Sequence, residues 1–224
     1  MGHSSNGVAP EHGSASWQWC RQAVFLVLFV MLSGNSQAVS PLSEQSPTMA
    51  VQRTMNDILY ILTELKDASR SAQRQWEIEQ VVRRSFNYEE MAERSLGEAW
   101  NGLNAAERRQ YVRLFVQLLR DEVADRLREY SSAQVAYLSE RGNKEAMQVT
   151  TAPAGADVDT RIEFQVVHRS GTWLMNDLVC DGASIVANYQ TQFSRILREG
   201  SFSELMERMK QKALVARVTE KVDS

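Results

Sequence analysis

The sequence is poor in the side chains that most often carry metal or acid–base chemistry, with three histidines and two cysteines in 224 residues. His3, His12 and Cys20 precede or border the first long apolar run, so the body of the chain holds only His168 and Cys180. No Cys or His pair has the spacing of metal ligands. We therefore predict no metal site, no cofactor and no disulfide framework.

The sequence also lacks a strong charge of either sign. It has 25 basic and 28 acidic residues, a formal net charge of -3, and no long basic run. Binding to nucleic acid depends largely on clustered Lys and Arg that neutralise phosphates. We therefore predict no nucleic-acid partner.

Long apolar runs are absent except for AVFLVLFVML at residues 23–32. A membrane-spanning helix needs about 20 apolar residues, so this run is too short to span comfortably. It follows Arg21 and is followed by the small, polar SGNSQA, which is the pattern of a secretory signal peptide. We predict that residues 1–38 are a cleaved signal peptide on an exported protein; an uncleaved anchor is the alternative. Residues 39–212 then form one domain, and residues 213–224 form a flexible tail.

The first half of the remaining chain has helical periodicity. Residues 51–68 and 111–127 place large apolar side chains at three- and four-residue spacings, and residues 76–85 form a shorter candidate. Asn87 with Glu90, and Asn104 with Glu107, resemble capping boxes at helix starts. Helical periodicity returns after Gly182.

Between these helical regions the pattern alternates with a period of two. Residues 134–138, 145–150, 160–167 and 172–180 predict four strands, with turn residues Gly142-Asn143 and Ser170-Gly171 between strands. Short turns join strands in an antiparallel meander. We predict an α+β fold in which several helices wrap a four-stranded antiparallel sheet.

Candidate catalytic residues are few. Ser184 suits the cap of the following helix, and His168 suits an exposed turn. Asp177, within a strand, and Asp181, in a tight turn, are most simply explained by hydrogen bonds to nearby backbone. We predict no catalytic residue. The alternative is a small periplasmic enzyme that uses Asp177 or Asp181 as a base in an apolar pocket, because such a pocket raises the pKa of a carboxylate.

Two segments resemble a known family. The first is FNYEEMA at residues 86–92, followed by Leu96-Gly97, Trp100 and LNAAERR at residues 103–109. The second is WLMNDLVCDGASIVANYQTQF at residues 173–193. Both are similar to signatures of the MlaC-like proteins, the toluene-tolerance-type auxiliary components of a bacterial ABC lipid-transport system.

The resemblance implies a periplasmic carrier that maintains the lipid asymmetry of the outer membrane. It would move phospholipid, with acyl chains buried and headgroup exposed, between an outer-membrane lipoprotein complex and an inner-membrane substrate-binding protein joined to an ABC transporter. A branch of the family accompanies hopanoid synthesis, so a hopanoid is the alternative cargo.

A carrier of this kind needs an apolar pocket, which we predict between the sheet and the helices. One face of the strands and two helical stripes offer large apolar side chains for it, whereas composition alone favours a filled core. The predicted lining is Phe115, Leu119, Val123, Tyr137, Val149, Ile162, Phe164, Val166, Trp173, Met175, Tyr189 and Phe193.

Overall fold

A computed structural model describes residues 46–128, 130, 134–154 and 161–222. Over these ranges the chain forms six α-helices and one antiparallel sheet, which confirms the α+β class. The helices are α1 (Pro47–Glu64), α2 (Ser71–Ser85), α3 (Tyr88–Leu96), α4 (Ala105–Arg128), α5 (Ile185–Glu199) and α6 (Phe202–Val222). The strands are β1 (Gln134–Gly142), β2 (Ala146–Ala154), β3 (Ile162–Arg169), β4 (Thr172–Cys180) and β5 (Ala183–Ser184).

The sheet has five strands in the order β1-β2-β3-β4-β5, so the prediction of four strands is wrong by one. The fifth strand consists of Ala183 and Ser184, which pair with Cys180 and Val179 across a tight turn. Two residues are too few to show an alternating pattern, and backbone pairing rather than side-chain burial defines this strand. The turn itself contains Asp181 and Gly182 at φ of 50° and 80°, the left-handed conformation that two-residue hairpins favour.

The sheet contains two β-bulges. In β1 the register shifts between Tyr137 and Ser139, so Leu138 is the extra residue. In β4 the shift lies where Gln165 pairs with Asp177 and Val166 pairs with Met175, so Asn176 is the extra residue. A bulge bends its strand and redirects the side chains beside it.

The helix starts carry side-chain caps, several of which the sequence predicts. The Asn104 side chain accepts from the backbone N–H of Glu107 at 3.0 Å, and Glu107 accepts from the N–H of Asn104 at 2.9 Å. This is a complete capping box. Ser184 caps α5 by accepting from the N–H of Ala187 at 3.0 Å. Asn87 precedes α3, but its side chain does not cap the helix. It bonds instead to the side chains of Glu90 and Asn176.

One face of the sheet is covered by helices, and the core lies between them. Helix α1 packs against β1, β2 and β4, while α2, α3 and α5 pack against β4. Helix α4 packs against α1, α2, α3 and α6. Buried side chains from the sheet and the helices form one continuous hydrophobic cluster.

The ends of the chain bear on the predicted domain limits. Helix α6 continues to Val222, and Ala213 within it is 3% exposed. The flexible tail from residue 213 stays a prediction. The predicted signal peptide, residues 1–38, lies outside the described residues. Of the helices that the structure does describe, none is long and apolar enough to cross a membrane.

Candidate functional site

The seven predicted lining residues on the strands share one face of the sheet. Residues directly opposite each other in an antiparallel sheet point to the same side, and the register joins them in rows. The rows are Tyr137, Thr151, Ile162 and Cys180; Val149, Phe164 and Leu178; Met147, Val166 and Met175; and His168 with Trp173. Six of the seven are buried, and Tyr137 is half-buried.

The five predicted helical residues are also buried. Phe115, Leu119 and Val123 on α4 have no exposed surface, and Tyr189 and Phe193 on α5 are 3% and 4% exposed. The rings of Phe115 and Tyr189 lie 5.8 Å apart and those of Tyr189 and Phe193 lie 5.3 Å apart. These distances are typical of favourable aromatic pairs.

These three rings belong to a larger aromatic cluster, which also contains Trp100, Tyr111 and Phe202. The Tyr111 ring lies 6.1 Å from Phe115 and 6.2 Å from Phe193. The Trp100 and Phe202 rings each lie 6.4 Å from Tyr111. Tyr111 occupies the same helical stripe as Phe115, four residues earlier, so the sequence contained the signal for it.

Helix α1 packs against the sheet but contributes no residue to the predicted lining. Val51, Met55 and Ile58 on α1 have no exposed surface, and this helix packs on β1, β2 and β4. Its first turn is tied to β1, because Thr48 donates from its backbone N–H and its hydroxyl to Glu140 at 3.2 and 2.5 Å. The apolar stripe of residues 51–68 was visible in the sequence, but periodicity does not tell which helix faces the sheet.

Burial separates the closed part of this core from its margin. A side chain without solvent-accessible surface borders no space that holds a water molecule, so the sheet centre around Val149 and Ile162 is closed. Val135, Tyr137 and Met147 pack against the core but are only half-buried. They lie on the helix-facing side of β1 and β2, the two strands at one edge of the sheet. We call these three residues the apolar margin.

The two aspartates proposed for the alternative enzyme have different surroundings. Asp177 is 8% exposed, and its carboxylate accepts from Ser184 Oγ at 2.5 Å and from the backbone N–H of Leu178 and Val186 at 2.9 and 3.2 Å. It therefore anchors the first turn of α5. Asp181 is exposed in its turn. His168, which we expected to be exposed, is half-buried with its ring 4.9 Å from that of Trp173.

A polar clasp joins α3 to the bulge of β4. Asn87 Nδ2 donates to Asn176 Oδ1 at 3.2 Å and to Glu90 Oε2 at 2.6 Å, and Asn176 Nδ2 donates to Glu90 Oε1 at 3.2 Å. The backbone N–H of Asn87 donates to the Met175 carbonyl at 2.8 Å. Arg94 donates to the backbone carbonyl of Asn176. We call Asn87, Glu90 and Asn176 the polar clasp. It brings together the two segments that carry the family resemblance.

The buried phenols of the aromatic cluster are uncharged. Burial raises the pKa of Tyr111 and Tyr189 well above the ordinary value for tyrosine, because a phenolate would lose its hydration. The Tyr111 hydroxyl is within 2.6 Å of Ser95 Oγ, and the Tyr189 hydroxyl donates to the Leu118 carbonyl at 3.4 Å. Among the described residues no three His, Cys, Asp or Glu side chains are grouped so that they could hold a metal ion.

Comparison with known proteins settles the family. The sequence model of the MlaC protein family matches residues 52–211, which is more than half of the chain. The chain belongs to the MlaC family. The match includes all twelve predicted lining residues, the aromatic cluster and the polar clasp.

A solved structure similar to this MlaC-family chain is the phospholipid-binding protein from Ralstonia solanacearum, determined in complex with a phospholipid. The two are 18% identical and superpose with a TM-score of 0.60, over 75% of this chain and 96% of the other. At that identity the likeness establishes the fold. No curated protein sequence matches this chain.

Proposed function

We propose that this protein is a phospholipid carrier without catalytic activity of its own. The observation that carries the proposal is the MlaC family match over residues 52–211. The similar fold of a protein solved with bound phospholipid supports it. So does the single apolar face on which the predicted strand residues lie.

A carrier of this kind is needed because acyl chains are costly to expose to water. Burying one CH₂ group is worth about 0.8 kcal/mol, so two chains of roughly 15 carbons give a gross gain on the order of 20 kcal/mol as an upper bound. The protein has to offer a dry surface of similar area. It needs little specificity along the chains, because CH₂ groups are alike.

In the proposed complex the acyl chains lie between the helix-facing side of the sheet and helices α1, α4 and α5, and the headgroup lies in solvent. Because the sheet centre is closed around Val149 and Ile162, the chains enter by moving helices away from the sheet. We place the entry at the apolar margin on β1 and β2, since Val135, Tyr137 and Met147 there are already half-buried. A partner that binds the closed state better than the separated state would release the lipid.

The location and partners belong to the same proposal. The pattern of residues 1–38 supports export to the periplasm, and family membership supports exchange with an outer-membrane lipoprotein complex and an inner-membrane ABC transporter complex. The enzyme alternative gains no support from Asp177, whose carboxylate accepts one hydrogen bond each from β4, β5 and α5.

A vesicle assay tests carriage directly. Donor vesicles of dioleoylphosphatidylcholine contain a fluorescent phosphatidylethanolamine with a quencher lipid, and acceptor vesicles contain dioleoylphosphatidylcholine alone. The proposal predicts that the protein accelerates dequenching in proportion to its concentration. Dequenching at the rate without protein, from a folded sample, would contradict it.

A further inference from the structure

The Tyr137 hydroxyl differs from the other buried phenols of this protein. Within the residues that the structure describes, this hydroxyl oxygen is buried and has no hydrogen-bond partner. By contrast, Tyr111 bonds to Ser95, Tyr189 bonds to Leu118, and Tyr130 bonds to the Thr151 side chain. Buried polar groups are nearly always satisfied, so an unsatisfied one calls for an explanation such as a missing ligand.

The surroundings of Tyr137 do not supply the missing partner. Its neighbour across the β1–β2 pair is Thr151, whose hydroxyl donates to the Ile162 carbonyl at 3.1 Å. Ile162 follows in the same row and has no exposed surface. The hydroxyl thus lies on the apolar, helix-facing side of the sheet. Burial raises the pKa of Tyr137, so the group is a neutral O–H at physiological pH and can donate a hydrogen bond.

Tyr137 also marks a boundary between buried and exposed surface. It is half-buried and belongs to the apolar margin, and Leu138 beside it is 52% exposed. On the other side, Thr151 and Ile162 are fully buried. A diacyl lipid bound with its chains inside and its headgroup outside has its ester carbonyls at such a boundary. Ester carbonyls only accept hydrogen bonds, which complements a phenol that lacks an acceptor.

We propose that the Tyr137 hydroxyl donates a hydrogen bond to an acyl ester carbonyl of the bound lipid and thereby sets how deeply the chains insert. This inference rests on the proposed function and extends it to a substrate class. The site selects ester-linked glycerolipids over cargo of the same apolar area without ester groups, such as an ether lipid or a polycyclic hydrocarbon.

The test compares the wild type with Tyr137→Phe on two probes. Each protein is incubated with dioleoylphosphatidylcholine vesicles that contain either dioleoylphosphatidylglycerol or its diether counterpart, then separated from vesicles, and the retained probe is quantified by mass spectrometry. The wild type should retain the diester about five- to ten-fold better than the diether, which corresponds to about 1 to 1.4 kcal/mol. Tyr137→Phe should lose this preference while retaining the diether as the wild type does.

Thermal unfolding of the delipidated proteins provides a second readout that does not depend on lipid. Tyr137→Phe removes an unsatisfied hydroxyl, so its melting temperature should equal or exceed that of the wild type. Tyr111→Phe removes a hydroxyl that is bonded to Ser95 and should melt lower.

The outcomes separate the two proposals. If the wild type retains neither probe, the proposed carrier function fails and this inference fails with it. If the wild type retains both probes and Tyr137→Phe keeps the same diester preference, or if neither protein has a preference, this inference alone is overturned. A lower melting temperature of delipidated Tyr137→Phe would also contradict it, because the hydroxyl would then have a partner within the protein.

Discussion

At the scale of single residues, Asp177 illustrates how a candidate catalytic group can be a structural one. A carboxylate in a mostly apolar layer is a candidate general base. The structure instead gives it three donors, two of them from the β5–α5 junction, Ser184 Oγ and Val186 N–H. The sequence supported this interpretation through the position of Ser184 at a helix start, but it could not specify the contact between Asp177 and Ser184.

We predict that Asp177→Asn destabilises the protein by about 1 to 3 kcal/mol, because an amide cannot accept all three bonds and loses the charge that favours a helix N-terminus. Ser184→Ala should cost about 1 kcal/mol. Urea unfolding of both variants and of the double variant measures this, and the double variant should lose less than the sum, since the two side chains share one bond. Strictly additive losses would refute the coupling.

Lipid retention by Asp177→Asn separates anchoring from catalysis. The carrier proposal predicts retention close to that of the wild type at a temperature where both are folded. A lipid product that the wild type makes and Asp177→Asn does not make would instead support the enzyme alternative.

At the scale of elements, the polar clasp joins the two segments that carry the family resemblance, which lie far apart in the sequence. Asn87, which directly precedes α3, and Glu90 on α3 meet Asn176, the extra residue of the β4 bulge. The sequence predicted a capping box from Asn87 and Glu90, because that motif is local. The structure uses the same pair for a tertiary contact that depends on the bulge, and an alternating pattern does not reveal where a bulge lies.

We predict that Asn176→Ala destabilises the fold by about 1 to 3 kcal/mol, because it leaves half-buried Asn87 and Glu90 groups with fewer partners. Asn188→Ala is the matched control, since Asn188 is exposed on α5 and its side chain bonds to Gln192 within the same helix. It should change stability by less than about 0.5 kcal/mol. Urea unfolding measures both, and equal losses would contradict a special role for the clasp.

The short strand β5 and helix α1 mark the limits of prediction at this scale. Four strands were predicted because each is long enough to alternate, whereas Ala183–Ser184 is recognised only through its pairing with β4. The α1 stripe was predicted, but its place against the sheet depends on packing between helices that a one-dimensional pattern does not encode.

At the scale of the whole molecule, the register places all seven predicted strand residues on one side of the sheet, and that this side binds lipid stays a prediction. Because successive side chains of a strand point to opposite faces, every second residue of a strand lies on the same face. What the sequence could not provide is the difference between closed core and margin. That difference depends on which residues remain half-buried after packing. Met147 is one of them, and it pairs with the buried Val166 on the neighbouring strand.

Met147 and Gln148 form a matched pair for testing the position of the acyl chains. They are adjacent on β2, both half-buried, and point to opposite faces of the sheet. Met147→Trp should lower the amount of retained phospholipid several-fold, because the larger ring occupies the margin on the helix-facing side. Gln148→Trp should retain as much as the wild type. The measurement is lipid extracted per mole of folded protein, and equal losses in both variants would contradict the proposed location.

The measurement that tests the central claim most directly is the lipid content of the wild-type protein itself. The full chain is expressed in a bacterial host, purified without detergent, extracted with organic solvent and analysed by mass spectrometry. The account predicts near-stoichiometric diacyl glycerophospholipid, released when the protein unfolds. Folded protein that yields no lipid would contradict the carrier claim, and a hopanoid in place of a glycerophospholipid would contradict the ester-linked cargo.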